Sequence, residues 1–240
     1  MAVILWIESQ PTAVIALVML AICYAFAAAV FALAGVVARR RVAVELKALT
    51  PVMMTPLSVI AGLLIVFLAA HVWANFDHAG AYVAEEASAI RESVLLAEAL
   101  PQGMRDAVRA GVDRYLRFVE ADDWPAMVAR RANLHRPPPG LVDAISALLA
   151  YAPTGAGQQF AQQRSVIALE RALEARRSRI LLSEAPIAPI QWLVVFVLDG
   201  LILLTIAMVH LDRRAATAAG LLIFSTAVAA CLVLLMVNDR

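Results

Sequence analysis

"WLVVFVLDGLILLTIAM", residues 192–208, decides the fold. With its flanks, from about Ile190 to His210, this apolar run matches the roughly 20 helical residues that cross a hydrocarbon core of about 30 Å. Three more blocks share the pattern: about Thr12–Ala38, Leu57–Trp73 and Ala216–Val237. No water reaches backbone polar groups in lipid, so each block is expected to be a helix. The chain is 62% hydrophobic with a mean hydropathy of +0.80. A soluble domain of this length is nearer half apolar, and here the excess comes in blocks. Ala, Gly, Ser and Thr are frequent in them, which lets helices approach closely and makes a homo-oligomer in the lipid bilayer the expected state. Trp73 and Trp192 stand at block ends, where interfacial anchors are expected.

Composition excludes several classes. A net charge of +1 carries no footprint for nucleic acid. Cys23 and Cys231 lie inside apolar runs and show no metal-ligand spacing, so no metal or cofactor is expected. Neither a Gly-rich phosphate loop nor "HExxH" nor "GxSxG" occurs, and the acidic residues form no acid/base pair, so an enzyme is not expected. "MAVILWIESQP" has no positive charge ahead of the first block, the reverse of a signal peptide, so that block is expected to be retained.

The expected organisation is residues 1–74 with two crossings, 75–188 as a helical extramembrane domain, and 189–240 with two more crossings. The class is therefore an all-α polytopic membrane protein. The middle region holds thirteen Arg and no Lys against fourteen Asp and Glu. Phe76, Val83, Ile90 and Ala97 repeat every seven residues, interleaved with Gly80, Ala87 and Val94, and predict an amphipathic helix. No proline parts it from the second block, so one helix over about 57–99 is expected, roughly 65 Å at 1.5 Å per residue. Pro101 ends it. Met104, Val108, Val112, Tyr115 and Val119 mark a second helix, with Asp113 and Arg117 spaced for an i,i+4 pair. In "DDWPAM", Asp123 is placed to cap a short helix with Pro125 in its first turn, and Trp124 reads as a packing anchor. "RPPPG" reads as a turn, and Leu141, Ile145, Leu148 and Leu149 as a short helix. A last helix over about 158–183 carries Val166, Leu169, Leu173 and Ile180. It is expected to return antiparallel to the helix over 76–99.

Charge sets the orientation. Arg39, Arg40, Arg41 and Lys47 in one loop, and Arg213 and Arg214 in another, share a side. The positive-inside rule puts both loops in the cytoplasm and the middle domain outside.

Asp199 is the first site candidate, since an ionisable group at mid-membrane faces protein or water and has a partner. Tyr24, Ser225 and Thr226 fall at similar depth and offer hydroxyls. Two readings stand: a point on an ion or proton path, or an interhelical hydrogen bond that fixes packing beside Gly200. His71, Asn75 and His78 share a face near one end of the second crossing and mark either a pore lining or the lipid boundary. Glu86 is placed to pair with an arginine of the returning helix, or to lie on a solvated face. Arg176, Arg177 and Arg179 read as ordinary basic residues facing headgroups, with attraction of anions or lipid phosphates as the other reading.

"TPLSVIAGLLIVFLAAHVWANFDHAGAYVAEEASAIRESVLLAEALP" resembles the opening of the bacterial bestrophin-like integral membrane family, a domain of unknown function. "DDWPAM" resembles its acidic-Trp-Pro-x-Met segment, and "ARRSRILLSEAPIAPIQWLVV" its basic stretch before the third crossing. The resemblance spans roughly residues 50–240. It implies a four-crossing plan and, through bestrophins proper, an oligomeric ion channel or pore lined by the second crossing and passing an inorganic ion. Phe67 is the one aromatic inside that crossing, so the aromatic neck of bestrophins has no counterpart. The alternative is a non-transporting membrane scaffold or sensor whose extramembrane helices bind a partner.

Overall fold

The computed structural model describes residues 10–37, 43–184, 187–210 and 213–238, with the side chains of 37 and 43–51 left out. Arg39, Arg40, Arg41 and the Lys47 side chain therefore lie outside the description. The chain divides into two compact units, Met1–Phe76 with Pro186–Arg240, and Asp77–Ala185.

In the first unit, α1 (Thr12–Val37), α7 (Pro189–Val209) and α8 (Arg214–Asn238) are long and apolar enough to cross a membrane. So is α2 (Ala43–Ala97), which runs on into the second unit. α1 packs along α8 and α7 through Ile15, Met19 and Cys23 at one level and Ala27, Val30 and Ala34 at another. Leu68 and Val72 of α2 join the first of these clusters. Gly200 gives α1 its close approach: a Cβ there would stand 2.8 Å from the Phe26 ring. Trp192 does not act as an interfacial anchor. It is buried and stacked on Phe196, because the first turn of α7 starts inside the helix cluster. Trp73 is exposed.

α2 begins earlier than the periodicity predicts and continues through Pro51 and Pro56. Each proline removes one backbone donor without ending the helix. The helix stops at Ala97, and a turn over 98–100 delivers the chain to Pro101, the N-cap of α3 (Gln102–Phe118).

In the second unit, α3 buries Val108, Gly111, Val112, Tyr115 and Phe118 on one face, as its spacing predicts. Its charged face pairs outward: Arg105 and Arg109 with Glu98, and Arg114 with Asp143 of α5 (Pro139–Ala150). No ion pair joins Asp113 to Arg117 among the described residues. Leu141 and Leu148 of α5 are buried, whereas Leu149 is exposed. Gln158 and Gln162 close the loop from α5 to α6 (Ala156–Ser183): Gln158 accepts from Tyr151 and Thr154, and Gln162 donates to the Leu148 and Tyr151 carbonyls.

α6 returns antiparallel to the second half of α2. Arg179 meets Glu86, while Arg171 and Arg164, earlier on α6, meet Glu92, later on α2. The face of α2 used here differs from the heptad reading. Ile90 and Ala97 are buried, but Phe76 and Val83 are exposed, and Glu86, Ala89 and Ser93 complete the buried side. Small residues on both helices, with Ala161, Ala168 and Ala172 on α6, share the buried faces with Ile90, Leu169 and Ile180.

Candidate functional site

Two arginines at i and i+3 on α6 share one face of the helix. Both are buried: Arg176 is 4% and Arg179 3% exposed. An unpaired guanidinium at such a position is prohibitive, so each must meet a carboxylate. Arg176 forms a fork on Asp123, with Nε donating to Oδ2 at 2.6 Å and Nη2 to Oδ1 at 2.9 Å. Arg179 forms a second fork on Glu86, with Nε to Oε2 at 2.9 Å and Nη2 to Oε1 at 3.3 Å. Arg179 Nη2 also lies 3.6 Å from Asp123 Oδ2 and ties the two pairs together. The Tyr115 hydroxyl on α3 donates to Glu86.

Local structure explains how Asp123 arrives there. A π-helical turn, Val119–Asp123, follows α3 and passes into the short α4 (Trp124–Val128), with the Trp124 N–H bonded to the Val119 carbonyl. The wider turn inserts a residue and re-aims the side chains that follow it. Asp123 therefore does not cap α4, as its position in "DDWPAM" predicts; no side-chain cap bond forms, and its carboxylate turns to Arg176. Trp124 lies against the Arg179 guanidinium, 4.9 Å from ring centroid to Cζ, and Phe118 lies 5.7 Å from that of Arg176. Planar guanidinium groups next to ring faces gain cation–π attraction, which is stronger away from water. Met127 Sδ completes the shell around Arg179.

The cluster contains two carboxylates and two guanidinium groups and is neutral as a whole. Every charge is committed to an internal partner. Arg176 and Arg179 are buried against carboxylates and therefore do not face headgroups, which corrects that reading of the basic stretch. Arg177 points the other way, is exposed and stands 4.0 Å from Glu174. Burial works against the charged form of Arg176, but the hydrogen bond and charge of Asp123 outweigh it and hold its pKa above the ordinary value. Burial, then the charge of Glu86 and the hydrogen bond to it, push the Tyr115 phenol well above the usual tyrosine range.

A prediction follows from that shift. A phenol whose pKa is raised by folding adds stability that is fully present below its ordinary value, about 10, and is lost as pH rises through the folded value. In an alkaline absorbance titration, the folded wild type and Tyr115→Phe are expected to show the same tyrosinate signal until unfolding begins. An extra titrating phenol in the folded wild type would contradict this. Tyr115→Phe removes a donor from a buried carboxylate and is expected to lower stability by about 1.5–3 kcal/mol in thermal unfolding.

Of these residues, Glu86 was a candidate for pairing with an arginine of the returning helix, with a solvated face as the other reading, and the particular arginine was not readable. Nor were Asp123 and Tyr115: one looked like a cap and the other like one more member of an apolar stripe. The signal that links them is the recurrence of buried-type acidic and basic residues in "EEASAI", "DDWPAM" and "ARRSRI".

In the membrane unit, Asp199 is 5% exposed. Tyr24 does not bond it. Tyr24 pairs instead with Thr226 at 2.9 Å, and Asp199 Oδ1 and Ser225 Oγ have no hydrogen-bond partner among the described residues. His71 is exposed, and its Nε2 lies 3.4 Å from Asn75 Nδ2. In the second unit, the His78 ring stacks on Tyr82. Among the described residues, no three His, Cys, Asp or Glu side chains converge as metal ligands would.

Four long apolar helices and a separate helical unit locked by buried charge define a multi-pass α-helical membrane protein. A family model for the Bestrophin-like domain matches residues 21–240, and the chain belongs to that family. No curated protein and no solved structure matches it significantly.

Proposed function

We propose that this bestrophin-like membrane protein assembles with copies of itself into an ion-conducting pore walled by α2. The observation that carries this is how little of α2 its own chain covers. Only 6% of its membrane-spanning stretch is buried within the protomer, against 28%, 44% and 39% for α1, α7 and α8. A helix so bare meets either lipid or other copies. Thr55, Ser58 and Gly62 fall at i, i+3 and i+7 on its exposed side, small and polar where lipid alone would favour large apolar residues. His71 and Asn75 stand toward the other end of the crossing and supply polar groups to the mouth. In this reading the exposed Arg213 and Arg214 mark the cytoplasmic side, and the unit over Asp77–Ala185 is extracytoplasmic.

The test is conductance of the purified protein in planar bilayers, wild type against His71→Ala. Currents that change several-fold on substitution support the pore. A folded protein without conductance at any voltage or pH overturns it in favour of a scaffold whose second unit binds a partner. Cysteine placed at the exposed Ser146 tests the orientation: a membrane-impermeant reagent is expected to label it in intact cells.

A further inference from the structure

Asp199 borders a cavity of about 30 Å³ within the membrane unit. Its walls are apolar: Leu64 and Ile65 of α2, Leu198 and Ile202 of α7, and Phe224 and Val228 of α8. The space admits about two or three waters, since one needs about 10–15 Å³ by this measure. A carboxyl that served as packing glue would spend its oxygens on neighbouring helices. Three of the hydroxyls at this depth are taken: Tyr24 bonds Thr226, Thr226 bonds the Leu222 carbonyl, and Thr205 bonds the Leu201 carbonyl; the fourth, Ser225, makes no bond to Asp199. Asp199 Oδ1 remains enclosed and unpartnered.

The surroundings select the ligand. α2 and α8 present only apolar side chains to the cavity. The buried Ser225 on α8 is uncharged, α1 brings Cys23 within electrostatic reach, and no basic group among the described residues acts on Asp199. A metal cation takes about six oxygens, and these walls offer none beyond the one carboxyl. A proton needs only that carboxyl and a water to carry it.

We propose that Asp199 is a proton-binding site of the membrane unit, taking up and releasing one proton at its carboxyl through the adjoining cavity. In one state the acid is neutral. In the other the proton has passed to water and the carboxylate is hydrated within the cavity. The site does not depend on α2 forming a pore, and its test does not use conductance.

The test uses the full chain in lipid vesicles. Difference infrared spectra between about pH 5 and about pH 9 are expected to show the carbonyl stretch of a protonated carboxylic acid disappearing as one proton titrates, with that band missing in Asp199→Asn. Wild-type protein treated with the lipid-soluble reagent dicyclohexylcarbodiimide, which adds to a protonated carboxyl, is expected to carry the adduct on Asp199. Adduct yield should fall about tenfold or more over the same range. A band that persists unchanged, or is absent throughout, marks a carboxyl permanently protonated or permanently ionised, and either overturns the proposal. So does folded wild-type protein that gains no Asp199 adduct at any pH.

Discussion

Replacing Arg179 with methionine lowers stability by about 3–5 kcal/mol, the cost of leaving a buried carboxylate without its countercharge. Glu86 then keeps only the Tyr115 hydroxyl, and Asp123 loses the 3.6 Å contact that links it to the rest. The loss is measured by thermal unfolding or pulse proteolysis of the detergent-solubilised protein. Removing both charges together, as Glu86→Met with Arg179→Met, is expected to recover much of it, because a buried pair as a unit is close to neutral against apolar replacement. A single-variant loss below about 1 kcal/mol would show the pair behaving as an exposed one and would refute the account. Surface pairs such as Arg177 with Glu174 are expected to give that smaller value.

Gly140→Ala is the second large effect. A Cβ at Gly140 would stand 2.1 Å from the Gly111 carbonyl oxygen and 2.5 Å from the Tyr115 nitrogen. Both are backbone atoms of α3, so no side chain can rotate out of the way. α3 and α5 must separate, at a cost of about 3 kcal/mol or more, the upper end for overpacking. The displaced strip of α3 carries Tyr115, so the hydrogen bond to Glu86 is strained in the same step. Gly103→Ala, on α3, is the control: its Cβ would meet nothing within 4 Å, and alanine's higher helix propensity makes it neutral or stabilising by up to about 1 kcal/mol. Equal thermal midpoints for the two variants would rule out the close crossing.

Sequence pattern reached far into this fold, and stopped at identifiable places. The apolar blocks were legible because about 20 continuous apolar residues match a hydrocarbon core, and the helix of Val108, Val112 and Tyr115 and the returning helix with Leu169 and Ile180 because burial of one helix face leaves a 3.6-residue period. Phe76 and Val83 misled for the same reason. They keep the period, yet are exposed, and the buried side of the helix runs through Glu86, Ala89 and Ser93. Asp123 was legible as a helix-start residue, but the π turn before it, which has no sequence rule as plain as a cap, sends its carboxylate elsewhere. Tyr24, Ser225 and Asp199 share a depth, and depth alone does not determine which hydroxyl bonds which neighbour.

By itself, the sequence determined that this chain threads lipid as helices, because backbone groups there must be satisfied within each segment and about 20 apolar residues suffice to do it. It left Glu86 with two readings, paired with an arginine of the returning helix or solvated, because one helix's periodicity does not show what packs against its edge. Only the tertiary structure decided that Glu86 is buried against Arg179, that Asp123, Arg176 and Tyr115 join them, and that Asp199 lines a cavity and keeps one oxygen without a partner. Such choices rest on distances between residues far apart in the chain, as at the close crossing of Gly111 and Gly140, and no local pattern encodes them.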